Sequence, residues 1–133
     1  MSEANEPSRA KRVSWFLLAL LYALAGLNHF LDPGFYLRMM PPYLPWHEGL
    51  VALSGVAEIA LGLAVLLPRL RPWAGLGLVA LLLAVFPANL HMALHPEDFA
   101  SFPSWGLYLR LPVQVLLIAW AWWATRPEPA RAP

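Results

Sequence analysis

The chain has 133 residues, of which 59% are hydrophobic and only 13% charged, with a mean hydropathy of +0.54. That balance leaves too little polar surface for a soluble domain of this length and points to a membrane protein. With a net charge of +1 and no cysteine, the chain has no thiol relay, thiolate metal site or iron–sulfur cluster, and no basic–aromatic interleaving or glycine loop suited to nucleic acid or phosphate.

Four apolar runs are long enough to span a bilayer: Val13 to Leu31, Leu50 to Leu67, Trp73 to Leu94 and Trp105 to Thr125. Each approaches or exceeds the ~17–25 residues that cross a hydrocarbon core. Strand alternation is absent, and backbone groups in lipid must be satisfied within the segment, so the runs are expected to be helices. The fold class that follows is all-α, an integral membrane four-helix bundle spanning residues 13–125. The polar tails, 1–12 and 126–133, are expected to be disordered.

Basic residues set the orientation. Arg9, Lys11 and Arg12 precede the first span, Arg69 and Arg71 fill the second connection, and Arg126 and Arg131 follow the last. Only Arg38 and Arg110 fall on the other side, which by the positive-inside rule puts both termini in the cytoplasm. A competing reading takes Arg9 to Ala25 as a secretory signal, but the apolar run continues past the would-be cleavage site to Leu31. A retained first helix is the reading adopted.

In the first outer loop, Asp32 and Pro33 form a helix-start signal, a side-chain cap followed by proline at the first helical position. Pro41 and Pro42 end that segment. Phe35, Tyr36, Met39 and Met40 would let it lie along the headgroups as an interfacial helix, an ordinary loop with aromatic anchors being the alternative. The stretch from Pro68 to Pro72 is a tight turn that makes the second and third spans antiparallel neighbours. Small residues, Ser54, Gly55 and Gly62 in the second span and Gly26 in the first, mark close helix approach.

Every span places polar groups in the outer half: Asn28 and His29 in the first, Glu58 in the second, Asn89 and His91 in the third, Arg110 and Gln114 in the fourth. With a rise of ~1.5 Å per residue, Glu58 sits roughly 12 Å below the outer end of its helix. An ionisable group at that depth faces the bundle interior and is paired or neutral. Arg110 is the one guanidinium within reach, so a Glu58–Arg110 interaction, direct or through Gln114, is expected. Such a pair either fixes helix register or lines a polar pocket that handles a ligand or proton.

His29, Glu58, Asn89, His91, Arg110 and Gln114 are therefore the candidate ligand-binding residues, with Glu58 and His29 the candidates for proton exchange. His29, Glu58 and His91 would make a nitrogen and carboxylate set for zinc, iron or copper, though no spacing motif supports it and bound metal is not the expectation. His95 precedes Pro96 and is expected to be a surface helix end. Pro87 and Pro112 free the carbonyls of Leu83 and Tyr108, kinking the third and fourth helices beside Asn89 and Arg110.

Several stretches together resemble the DoxX family of small bacterial membrane proteins. They are Asn28-His29-Phe30 with Pro33, Pro41-Pro42 with Pro45, Ser54-Gly55 with Glu58, Phe86-Pro87-Ala88-Asn89, and Arg110-Leu111-Pro112 with Gln114. The likeness runs from the first span to the last. It implies a four-helix bundle in the bacterial cytoplasmic membrane and an association with redox chemistry, since the family name comes from a subunit of a thiosulfate:quinone oxidoreductase. Most members have no assigned activity, and distant relatives act as membrane chaperones or assembly factors, so the resemblance carries no catalytic residue over.

Two functions compete at this stage. In one, the chain is a subunit or accessory of a membrane oxidoreductase, with a quinone or small reductant held in the outer-leaflet pocket under Tyr43, Trp46, Trp105, Met39 and Met40. A partner subunit and a homo-oligomer are then candidate associations, and quinone the candidate cofactor. In the other, the chain is a non-catalytic assembly protein whose polar cluster holds the bundle together. Small-solute transport ranks behind both, because four helices leave little room for alternating access.

Overall fold

The computed structural model describes residues 6–129. Four long helices form the bundle: α1 (Arg9–Leu31), α3 (His47–Ala64), α4 (Arg71–Leu94) and α5 (Ser104–Thr125). A short helix, α2 (Pro33–Met39), follows α1, and a 3-10 turn (Pro96–Phe99) precedes α5. Among the described residues there is no strand. All four long helices are long and apolar enough to cross a membrane. Their outward faces are apolar as well, with Phe16, Leu20, Leu24, Leu53, Val56, Leu83, Val115 and Leu116 exposed. A chain that leaves such residues uncovered on every helix has a lipid-facing exterior.

The chain folds as two antiparallel pairs, α1 along α3 and α4 along α5, with α3 against α4 and α1 against α5 closing the bundle. Glycine sets the first pair. A Cβ on Gly26 would lie 2.5 Å from the Gly55 carbonyl oxygen, and one on Gly55 would lie 2.8 Å from the Cβ of His29. The two backbones therefore meet directly, as small residues permit in membrane helices.

Local signals explain some of the helix ends. The Ser8 hydroxyl accepts a hydrogen bond from the Lys11 amide at 3.2 Å, so α1 begins at Arg9, one turn before the apolar run. At the far end of α3, Arg71 donates to the carbonyls of Val65 (2.7 Å) and Leu66 (3.3 Å), satisfying acceptors left free as the helix unwinds. The second span is thus helical over His47–Ala64 rather than Leu50 to Leu67, and the turn occupies residues 65–70. Trp46 enters α3 in the left-handed region (φ 56°), and its indole lies where a side chain on Gly49 would stand. Asp32 departs from expectation: Pro33 does open α2, but the Asp32 side chain makes no capping bond.

Both described ends of the chain meet at one end of the bundle, the terminal end. Buried Lys11 donates to the Arg126 carbonyl at 2.7 Å and stands 3.7 Å from Glu128. Trp15 donates to the Ala124 carbonyl at 2.7 Å, with the Arg71 guanidinium 3.3 Å above its ring. Ser8 donates its amide to Glu128 at 3.2 Å. Arg126 and Glu128, in the segment expected to be a disordered tail, therefore touch the start of α1. The remaining tail residues, 1–5 and 130–133, lie outside the described residues.

Two apolar cores fill the bundle. One, toward the terminal end, joins Leu18, Tyr22, Val65, Ala74, Leu78, Leu82, Ala121 and Ala124. The other, at the opposite end, joins Met39, Met92, Phe99 and Leu107, with Phe35, Tyr36 and Ala88 against it. Here α2 is the short helix expected in the first connection, and it packs against the end of the bundle. Its Phe35 packs on Phe99, Phe102 and Tyr36, and Met39 is buried, so the apolar residues turn inward and roof the bundle.

A cavity roofed by the second helix

Between the two cores lies a cavity of about 320 Å³. Each long helix lines it with a single stripe at helical spacing. From α1 come Tyr22, Ala25 and His29; from α3, Val51, Ser54 and Glu58; from α4, Leu82, Val85 and Asn89; from α5, Arg110, Val113, Gln114 and Leu117. Steps of three, four and seven keep these side chains on one face. Tyr36, Met39 and Met40 form the roof from α2 and the residue after it.

The polar residues form two groups. In the first, His29 Nδ1 donates to the Val51 carbonyl at 3.0 Å. A carbonyl only accepts, so Nδ1 carries the proton. His29 Nε2 then stands 3.1 Å from Glu58 Oε2, an ion-pair distance off the line of an aligned hydrogen bond, and Oε2 has no aligned partner. Two bare lone pairs at that separation would repel, so one proton lies between imidazole and carboxylate. The Tyr36 ring stacks on His29 with centroids 3.8 Å apart, held by a 2.9 Å hydrogen bond between the Asn28 amide and the Tyr36 hydroxyl. The Tyr22 hydroxyl is also buried without a partner.

The second group ties α4 to α5. Asn89 Nδ2 donates to Gln114 Oε1 at 2.6 Å, and Asn89 Oδ1 accepts from Arg110 Nη2 (3.2 Å) and Nε (3.4 Å). Gln114 Nε2 donates to the Leu82 carbonyl. Proline 87 sits inside α4 as expected, but the carbonyl satisfied from across the bundle is that of Leu82, one residue before Leu83. Buried amides in a membrane need every partner, and this network supplies them.

Five of the six candidate binding residues, His29, Glu58, Asn89, Arg110 and Gln114, therefore converge on one cavity. Three expectations are corrected. Glu58 faces His29 rather than Arg110, because the α1–α3 approach at Gly26 and Gly55 brings the histidine first. Arg110 is held by the neutral Asn89 amide. His91 lies outside the cavity, tilted against His95 with ring centroids 4.2 Å apart, while its carbonyl accepts from His95 Nδ1. Two residues from Asn89 is roughly 200° around a helix, so the two side chains leave on opposite faces. Consequently His91 does not join His29 and Glu58, and no group of three histidine or acidic residues suited to a metal ion forms among the described residues. The expected cover also differs: Met39 and Met40 roof the cavity, but Tyr43, Trp46 and Trp105 are exposed on the surface.

Tyr36 and Tyr22 were not singled out from sequence as wall residues. Tyr22 was findable, since it precedes His29 by seven and shares its helix face. Tyr36 was not, because its place depends on α2 folding back onto the bundle.

A family model matches residues 18–125, most of the chain and every residue of the cavity wall. The chain belongs to the family described as Domain of unknown function (DUF8561). Within this DUF8561 region lie the His29–Glu58 pair, the Asn89–Gln114–Arg110 network and the α2 roof; the contacts of Lys11 with Arg126 and Glu128 fall outside it. No curated protein and no solved structure matches the chain.

Proposed function

We propose that this chain is a multi-pass protein of the bacterial cytoplasmic membrane, with both termini in the cytoplasm, that serves a membrane oxidoreductase as subunit or accessory. Its cavity receives a quinone or a similar small amphiphile from the outer leaflet. The observation that carries the reading is the cavity itself: about 320 Å³, largely apolar, with a titratable pair and a guanidinium converging on it. That combination is what small-molecule sites use, apolar walls for the body of a ligand and a few placed polar groups for its orientation. The resemblance to DoxX proteins supports the same reading, since His29, Glu58, Asn89, Arg110 and Gln114 are both motif residues and wall residues.

The wall fits a quinone headgroup in kind. A bound quinone would supply the two-electron, two-proton redox capacity that the cysteine-free chain lacks. The chain's own residues do the rest. Arg110 and His29 offer donors to ligand oxygens, and the proton between His29 Nε2 and Glu58 Oε2 can be given to or taken from such an oxygen. Tyr36, stacked over His29, excludes water from that proton. Electrons would pass to or from a partner subunit.

An assembly role is the second reading, favoured by the Asn89–Gln114–Arg110 network, which needs nothing further and joins two helices. The buried hydroxyl of Tyr22, which has no partner, weighs against it, because a purely structural cluster would satisfy it. The test is solvent extraction of protein purified from its native membranes in mild detergent. Bound quinone or a similar small amphiphile at near one per chain, diminished in Glu58→Gln and His29→Gln, is the expected result. Protein that carries no quinone and shows no quinone-dependent turnover with its co-purified partner would refute the oxidoreductase reading.

A further inference from the structure

Charge balance inside the cavity narrows the ligand, on the proposed reading that the cavity takes a small amphiphile. The charged or chargeable groups of the wall, beyond its two tyrosines, are His29, Glu58 and Arg110. His29 and Glu58 share one proton, so that pair is neutral as a unit whichever partner holds it. Arg110 keeps its charge under all ordinary conditions. Its Nε and Nη2 face the neutral oxygen of Asn89, and among the described residues no carboxylate stands within ion-pair distance. The cavity thus holds one uncompensated positive charge among membrane-spanning helices, where an unmatched ion is strongly unfavourable.

We infer that the cavity selects amphiphiles carrying one acidic group, which meets Arg110 while the apolar body lies between Ala25, Leu82, Val85 and Val113. The guanidinium is suited to this. Asn89 fixes one edge of its fork, and Nη1 makes no hydrogen bond to the described residues, leaving donors for a carboxylate or phosphate oxygen. The His29–Glu58 pair, neutral and able to donate or accept, sets no charge requirement of its own and reads a hydroxyl or carbonyl elsewhere on the ligand. An acyl carboxylate and a lipid phosphate headgroup share the required chemistry.

The experiment is a binding titration of the full chain in a neutral maltoside detergent. The probes are dodecanoate, dodecyl phosphate, dodecanol and a neutral short-chain benzoquinone, tested against wild type, Arg110→Gln and Arg110→Lys. The anionic probes should bind wild type at least about tenfold tighter than dodecanol, about 1.4 kcal/mol by the affinity relation. That preference should vanish in Arg110→Gln and persist in Arg110→Lys, which keeps the charge should the glutamine variant misfold. Tighter binding of dodecanoate than of dodecyl phosphate assigns an acyl carboxylate, and the reverse a phosphate headgroup; both support the inference. Equal binding of dodecanol and dodecanoate, or a benzoquinone that binds best and independently of Arg110, overturns it while leaving the pocket reading intact. Failure of every probe to bind overturns the pocket reading along with it.

Discussion

Gly26→Ala tests the helix approach that builds the site. The added Cβ would stand 2.5 Å from the Gly55 carbonyl oxygen, 2.7 Å from Ile59 Cγ1 and 3.0 Å from Glu58 Cβ. Even a weak C–H···O contact keeps carbon and oxygen about 3.3 Å apart, so α1 and α3 must separate by roughly 0.8 Å at this level. The obstacle is backbone and cannot rotate away. A gap of that size forfeits about a quarter to a half of the dispersion energy of each affected contact. Overpacking of this kind costs about 1–3 kcal/mol, and the better helix propensity of alanine returns about 1 kcal/mol at most. A net loss of up to about 2 kcal/mol follows. The assay is thermal unfolding of the full chain in detergent, followed by tryptophan fluorescence, with Gly34→Ala as control because a Cβ there meets nothing within 4 Å. Gly26→Ala should melt several degrees below that control and lose ligand affinity as His29 moves from Glu58. Equal melting of the two variants would refute the close approach of α1 and α3.

Other expectations follow from single contacts. Gln114→Leu removes the partners of Asn89 Nδ2 and the Leu82 carbonyl, and should destabilise the chain by about 1–3 kcal/mol; unchanged denaturant resistance would contradict the network. Glu58→Gln should leave the melting temperature nearly unchanged, since an amide can still face His29, yet weaken ligand binding; a large drop in melting temperature would favour a structural role. Lys11→Met should release residues 126–129, seen as faster amide exchange and proteolysis there, and equal protection in both proteins would refute the latch. Because the chain has no cysteine, Ser104→Cys and Arg69→Cys report topology cleanly. An impermeant maleimide should label the first in intact cells and the second only after permeabilisation; the reverse would overturn the proposed orientation.

The amino-acid pattern made depth legible and azimuth less so. Hydropathy located four helices, and counting residues along each put His29, Glu58, Asn89, His91, Arg110 and Gln114 near one level. Five of them meet there. Which of them touch depends on which helices lie adjacent, and pairing by charge alone joined Glu58 to the wrong partner. The signal that would have corrected this was present in the glycines. Gly26 stands three residues before His29 and Gly55 three before Glu58, so the faces that approach most closely carry that pair. His91 failed for a related reason: shared depth does not imply a shared face.

The loops were read less well than the spans. Phe35, Tyr36 and Met39 are apolar enough for either headgroups or a protein roof, and only the distant Phe99 and Phe102 decide between them. A polar-looking connection, Pro96 to Ser104, hides one fully buried aromatic, Phe99. Likewise Arg126 and Glu128 lie in a stretch of disordered composition, and their contacts come from Lys11 and Ser8 at the far end of the chain. Contacts of that sequence separation leave no local trace.

On the proposed reading the space between the two cores is a ligand site and not a packing defect. Native mass spectrometry of the full chain released from mild detergent tests it, with Ala88→Phe as the comparison because Ala88 lines the cavity and a phenyl ring would occupy it. Wild type should carry a one-to-one adduct of amphiphile mass that Ala88→Phe loses while remaining folded. An adduct equally abundant on both proteins, or none on wild type under any mild extraction, would contradict it.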